Sequence, residues 1–137
     1  MSNSKLSPNS VAFIAMSVEY CHALENVLDF EREDFIAKML KLLPRIYMSA
    51  TDIAENQFEE NYYAESYLEE ESYDAVKENI ARLLAEDDIY LEVFMDDMKY
   101  SDTPLSASIS ENLADIYQAL YNLAAGVKDA TNEAANE

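Results

Sequence analysis

The sequence predicts an all-α protein, a single domain spanning residues 1–137 that folds as an irregular bundle of about five helices. One glycine and three prolines are too few for the closely spaced turns of an all-β fold. Half of the residues are apolar, which is enough to build a core at this chain length. Apolar residues recur every three or four positions, as on one face of a helix. We therefore predict helices near residues 9–30, 32–50, 72–86, 88–98 and 104–126.

The first helix opens with capping residues, since Ser7 or Asn9 can accept a backbone hydrogen bond and Pro8 is tolerated in a first turn. Glu25 falls within the apolar arc of this helix and His22 lies at its edge. We expect Glu25 to be at least partly buried. Either burial raises the pKa of its carboxyl group, or a tyrosine or Arg45 donates a hydrogen bond to it.

The second helix has an apolar face opposite Lys38, Lys41 and Arg45, the only basic cluster of the chain. This cluster binds an acidic partner or anion, faces the acidic segment of the same chain, or is simply solvated. Pro44 lies within the pattern. Because proline lacks a backbone N–H, we expect a kink there or a helix that ends and restarts.

Residues 52–71 form an acidic, tyrosine-rich segment without a basic residue. Dense like charges repel one another, so this segment is predicted to be a long loop or an irregular helix. Tyrosine offers a large contact area at a low entropic cost. The predicted partner surface therefore comprises Tyr62, Tyr63 and Tyr67.

The last predicted helix has the clearest pattern in the chain. Thr103 before Pro104 is one N-terminal cap, and Ser108 with Glu111 is a capping-box alternative one turn later. From about residue 128 the tail is rich in alanine, asparagine and glutamate and is expected to fray. One apolar stripe runs along this helix: Leu105, Ile109, Leu113, Ile116, Leu120, Leu123 and Val127.

Charge and composition narrow the classes of function. With 28 acidic and nine basic residues the formal net charge is −19, which disfavours direct binding to nucleic acid or to anionic membranes. Basic or tyrosine-docking proteins are the expected partners. There is no signal-peptide pattern and no long apolar run, and the single cysteine cannot form an intramolecular disulfide. These features predict a cytoplasmic protein.

The candidate metal ligands do not complete a known motif, and no cofactor is expected. Glu19 and His22 have the Glu-x-x-His spacing of ferritin-like iron sites, which need two such motifs. Glu111 and Asp115 stand one helical turn apart, a spacing that can share a magnesium ion. Glu25 is the remaining candidate carboxylate. A bundle that brought these residues together would support an enzyme with a carboxylate-bound metal.

Several blocks of the sequence resemble an uncharacterised bacterial family, the domain of unknown function numbered 5063, found mainly in Bacteroides and relatives. The resemblance lies in the general pattern of residues 19–25, 42–47, 73–84, 90–94 and 100–117. It implies an all-helical bacterial cytoplasmic protein and assigns no catalytic residue.

Three functions remain open at this point. The first is a non-enzymatic interaction or adaptor domain that uses an acidic or tyrosine-rich surface. The second is the enzyme with carboxylate-bound magnesium or iron. The third is an acidic mimic of nucleic acid, which would require rows of acidic residues along a groove.

Overall fold

The computed structural model describes residues 7–53, 66–92 and 105–136. Within these ranges the chain forms four α-helices and one pair of short antiparallel strands. Short 3₁₀ turns follow the first and third helices, at Val27–Asp29 and Ala85–Asp88. The elements in chain order are α1 (Pro8–Glu25), α2 (Arg32–Thr51), α3 (Glu70–Leu84), β1 (Ile89–Glu92), β2 (Leu105–Ser108) and α4 (Ile109–Asn136).

The prediction of a helix near residues 88–98 is wrong at its beginning, because Ile89–Glu92 is a strand. This strand pairs antiparallel with β2, with Tyr90 opposite Ala107. A short apolar run fits a strand as well as a helix, so only the pairing decides between them. The described residues therefore contain four helices where five were predicted for the whole chain. Residues 93–98 and the predicted turn at 99–104 lie outside the described ranges.

Helix α1 begins as predicted, since the Ser7 hydroxyl accepts a hydrogen bond from the backbone N–H of Ser10 at 3.2 Å. Not every apolar residue of this helix reaches the core, because Val11 is 55% and Val18 39% exposed. Three of the residues on the buried face are small: Ser10, Ser17 and Ala23. The residues that α1 buries are Ser10, Phe13, Ser17, Tyr20, Cys21, Ala23 and Leu24.

Helix α2 is continuous through Pro44, so the predicted end and restart do not occur. Pro44 lies on the exposed side of the helix, where water can satisfy the carbonyl group that loses its intrahelical partner. The predicted apolar face was too wide, since only part of it reaches the core. The buried residues of α2 are Phe35, Met39, Leu42, Ile46 and Ser49.

Helix α3 buries Val76, Ile80 and Leu84, and ends at a strained residue. Ala85 has φ 53° and ψ −125°, a region that favours glycine because a Cβ atom crowds the backbone there. The guanidinium group of Arg32 donates hydrogen bonds to the carbonyl oxygen of Leu84 and to Asp87, each at 2.6 Å. The start of α2 is thereby tied to the end of α3.

Helix α4 begins at Ile109 instead of near residue 104, and Ser108 acts as its cap by accepting the N–H of Glu111 at 3.2 Å. A second acceptor for the backbone N–H groups of this first turn comes from outside the helix. The carboxylate of Asp88, only 5% exposed, accepts the backbone N–H of Ser110 at 2.6 Å and its hydroxyl at 2.7 Å. The positive end of the helix dipole favours an anion at this position.

The core lies where α4 packs against α1 and α3, and α2 covers the outer side of α1. Tyr20 is fully buried, and its hydroxyl group donates a hydrogen bond to the carbonyl oxygen of Leu113 at 2.8 Å. From α4 the core takes Leu113, Tyr117, Leu120, Leu123 and Val127. In the ranges described, no helix is long and apolar enough to cross a membrane.

Replacing Asp88 with asparagine is expected to lower the free energy of unfolding by about 1–3 kcal/mol, because a buried charged acceptor at a helix N-terminus is lost. Urea denaturation followed by circular dichroism measures the change. Asp87→Asn is the control: this neighbour pairs with Arg32 but its side chain is 67% exposed, so its loss should cost less than about 1 kcal/mol. Equal effects of the two changes would contradict the role of Asp88.

Replacing Ala85 with glycine is expected to raise the free energy of unfolding by about 0.5–1 kcal/mol, since glycine adopts this backbone conformation without strain. The same substitution at Ala75, an exposed interior position of α3, should lower it by about 1 kcal/mol. Thermal and urea unfolding compare the two variants. A loss of stability in both would show that Ala85 is not strained.

Candidate functional site

A cleft of about 570 Å³ lies between α1 and the C-terminal half of α4. Ile14 and Val18 form its wall on α1, and Ala124 and Ala125 lie on the α4 side. Ile14 and Val18 are one helical turn apart, and on α4 Ala124 and Ala125 lie one turn after Tyr121, so each helix turns one side towards the cleft. The two alanines leave space that larger side chains would fill. An acidic residue, Glu25, and two basic residues, His22 and Lys128, also line this cleft.

Glu25 is held in place by a tyrosine, as one of the two sequence alternatives predicted. The hydroxyl group of Tyr117 donates a hydrogen bond to Oε2 of Glu25 at 2.9 Å. Tyr117 itself is only 2% exposed and contacts the ring of Tyr121 edge-on, with centroids 5.8 Å apart. Burial and the neighbouring carboxylate both raise the pKa of Tyr117, so this phenol remains a donor at neutral pH. Glu25 is exposed overall, contrary to the expected partial burial.

Cys21 also lines the cleft and is only 5% exposed. Its Sγ atom is 4.0 Å from the carbonyl oxygen of Tyr117. Burial, with a smaller contribution from the charge of Glu25, raises the pKa of the thiol to about 12. The thiol is therefore protonated at neutral pH and is a poor nucleophile.

The rim of the cleft carries both signs of charge. His22 and Lys128 are exposed, and neither side chain has a hydrogen bond or salt bridge among the described residues. Glu25 and Lys128 form no salt bridge with each other. An acceptor and a donor thus face one apolar cleft without neutralising each other.

The remaining acidic candidates lie elsewhere. Glu19 forms a salt bridge with Lys38 at 3.2 Å, beside a shallower hollow of about 440 Å³ that His22 also lines. Glu111 and Asp115 are exposed on α4, near its N-terminal end. No group of three acidic, histidine or cysteine residues suited to a metal ion occurs in the described ranges.

Asp115 contributes to a contact between α3 and α4. The hydroxyl of Tyr73 donates to Oδ1 of Asp115 at 2.5 Å. Partial burial, this hydrogen bond and the charges of Asp115, Glu111 and Asp74 raise the pKa of Tyr73 to about 12. In the acid pair predicted as a metal site, Asp115 therefore accepts a hydrogen bond from a tyrosine, and Glu111 adds a nearby charge.

The predicted tyrosine surface is described only at Tyr67, because Tyr62 and Tyr63 lie outside the described ranges. Tyr67 is half-buried and is held against α4. Its backbone N–H and that of Leu68 both donate to the Asn122 side chain at 2.9 Å, and its hydroxyl donates to Asp129 at 3.2 Å. Much of this tyrosine is therefore occupied by contacts within the chain.

The basic cluster of α2 divides into two parts. Lys38 pairs with Glu19 across the α1–α2 contact. Lys41 and Arg45 are exposed and have no hydrogen-bonding or ionic partner among the residues described. Beside them the outer face of α2 presents apolar side chains to solvent: Ile36, Leu40, Tyr47 and Met48.

Sequence reasoning named His22 and Glu25 as candidates but missed the apolar cleft that they line, although the pattern held two signals of it. Small residues, Ala124 and Ala125, follow Tyr121 where a filled interface would have larger ones. Helix α1 also has enough other residues to form its core face, so Val18 is an additional apolar residue on a different side. A search for runs of apolar residues does not register such gaps, because it records where side chains are large and not where they are absent.

The chain is similar to a protein of known structure and matches the model of a protein family. The crystal structure of protein BF1032 from Bacteroides fragilis is similar to the chain, with a TM-score of 0.74 and 29% sequence identity. The similarity covers 93% of this chain and 73% of BF1032. No curated protein matches the chain. The family model of a domain of unknown function, DUF5063, matches residues 4–137. The chain therefore belongs to the DUF5063 family.

Proposed function

We propose that the protein is an interaction domain whose helix α2 binds an acidic, amphipathic segment of a partner protein. The proposal is supported by the exposed apolar stripe of α2. Ile36 is 39% exposed, whereas Leu40, Tyr47 and Met48 are 67–72% exposed. The exposed Pro44 lies between them. Over these positions the stripe extends about 18 Å along the helix axis, at 1.5 Å per residue.

Such a stripe resembles one half of a helix-in-groove contact. Isolated exposed apolar residues are ordinary, but several on one helix face indicate a binding surface. Leu40 and Tyr47 are two helical turns apart, the spacing at which a partner helix places its own apolar residues. Tyrosine is also among the residues that contribute most to binding free energy at protein interfaces.

Charge indicates the chemistry of the partner. Between residues 35 and 51 there is no acidic residue, while three of the nine basic residues of the chain fall there. Lys41 and Arg45 border the stripe without a partner among the described residues. An acidic segment would neutralise them. If this face met the same face of a second copy, the same cations would lie opposite one another, so charge favours a different partner with an acidic segment.

The other two functions have less structural support. In the described ranges the candidate ligands Glu19, Glu25 and Asp115 engage a lysine or a tyrosine, and no metal-binding group is found. A mimic of nucleic acid would need ordered rows of acids. The described acidic residues are instead distributed over all four helices.

Photo-crosslinking tests the proposal. A benzophenone amino acid at position 40 of the full chain, irradiated in a lysate of the source organism, is expected to crosslink an acidic, amphipathic segment of another protein. Mass spectrometry identifies the crosslinked peptide. The double substitution K41E/R45E should reduce the yield at least ten-fold, because opposite charges are replaced by like charges.

A benzophenone at position 91 is the matched control, since Leu91 is 63% exposed but lies on β1. It should not crosslink the same peptide. Crosslinks from position 40 only to residues 54–65 of this chain, or only to a second copy, would overturn the proposal. The absence of any crosslink, or a yield that K41E/R45E leaves unchanged, would overturn it as well.

A further inference from the structure

The cleft between α1 and α4 combines an unfilled apolar space with fixed polar groups. Packed helices normally fill the space between them with interdigitating side chains. Here Ile14 and Val18 of α1 meet a side of α4 that carries Ala124 and Ala125. The remaining volume of about 570 Å³ lies within the range of small-molecule sites, about 300–1,000 Å³.

Helix α1 leaves an apolar residue exposed at this cleft and buries a polar residue beside it. Val18 is 39% exposed, while Ser17 beside it is fully buried, its hydroxyl satisfied by the carbonyl oxygen of Phe13 at 2.8 Å. Helix α1 is thus rotated so that part of its apolar strip faces the cleft. A hydrocarbon group placed there would remove this apolar surface from water, which is favourable.

The carboxylate of Glu25 is oriented before any ligand arrives. Its Oε2 atom accepts the hydroxyl of Tyr117, and Tyr117 is itself fixed by burial and by the ring of Tyr121. In the described ranges, Oε1 has no hydrogen-bond donor. A pre-oriented acceptor binds an ammonium group with less loss of side-chain entropy than a freely rotating one.

Lys128 supplies the complementary charge from α4. It lines the same cleft as Glu25, is exposed, and has no ionic partner within the described ranges. A ligand with only an ammonium group would be repelled by Lys128, and one with only a carboxylate by Glu25. A head group that carries both charges satisfies both residues.

We propose that this cleft binds an apolar α-amino acid. The ammonium group is held by Glu25, the carboxylate by Lys128, and the hydrocarbon side chain between Ile14, Val18 and the two alanines. This site is separate from the outer face of α2 and does not depend on it.

Heteronuclear NMR titration of the full chain with L-phenylalanine tests the proposal. Shifts are expected in the amide signals of residues 14–25 and 121–128, which saturate with added ligand. Phenethylamine lacks the carboxylate and 3-phenylpropanoate lacks the ammonium, so each should bind at least five-fold more weakly. Equal binding of either analogue would overturn the assignment of the charge it lacks.

Variants separate the site from a general effect of charge. Glu25→Gln and Lys128→Gln should each weaken the binding of L-phenylalanine about five-fold, whereas Glu19→Gln and Lys77→Gln should leave it unchanged. Glu19 pairs with Lys38 outside this cleft, and Lys77 lies on α3. Ala125→Phe should fill the cleft and abolish binding while the circular dichroism spectrum is retained. No saturable shift with L-phenylalanine, or equal losses in the control variants, would overturn the proposal.

Discussion

The buried contact between Asp88 and the first turn of α4 sets the position of the longest helix, and the rest of the structure is arranged around that helix. Asp88 follows the end of α3, and its carboxylate accepts two hydrogen bonds from Ser110. A buried carboxylate is costly unless it is fully hydrogen-bonded, and a helix N-terminus supplies both donors and a favourable field. The same junction contains strained Ala85 and the Arg32 contact to Leu84 and Asp87. Together, the Asp88 and Arg32 contacts join α2, α3 and α4 at one end of the bundle.

The pairing of α1 with α4 determines which apolar residues form core and which remain open. Two tyrosines hold the pair together: Tyr20 donates to the backbone of α4, and Tyr117 donates to Glu25 of α1. Because each hydroxyl needs a partner when its ring is buried, these bonds fix the rotation of one helix relative to the other. That rotation buries Ser17 and leaves Val18 at the cleft. The candidate amino-acid site is thus a consequence of how the helices are locked together.

Helix α2 is packed on one side only. Its inner face contributes Phe35, Met39 and Ile46 to the core, while its outer face carries a second apolar stripe that the described residues leave uncovered. An exposed face of this kind is retained at a risk of aggregation, which the net charge of −19 reduces by mutual repulsion. Exposed Lys41 and Arg45 lie beside that face. They would attract an acidic segment, although the net charge of the whole chain is negative. The proposed docking surface and the cleft are therefore separate features with different chemistry.

The sequence by itself determined the helical class and the positions of α1, α2 and α3 to within a few residues, because these follow from local spacing. It also placed Ser7 and Ser108 among the candidate caps, because capping depends on local hydrogen bonds. It also indicated that Glu25 could meet a tyrosine. Tertiary structure alone decided that Ile89–Glu92 is a strand, since strand pairing joins residues that are distant in the sequence. It likewise decided that Glu25 meets Tyr117, that Glu19 and Asp115 lie apart, and that Asp88 caps a helix 22 residues away. A helical pattern states which residues share a face, but only the packing of whole helices settles which face is covered.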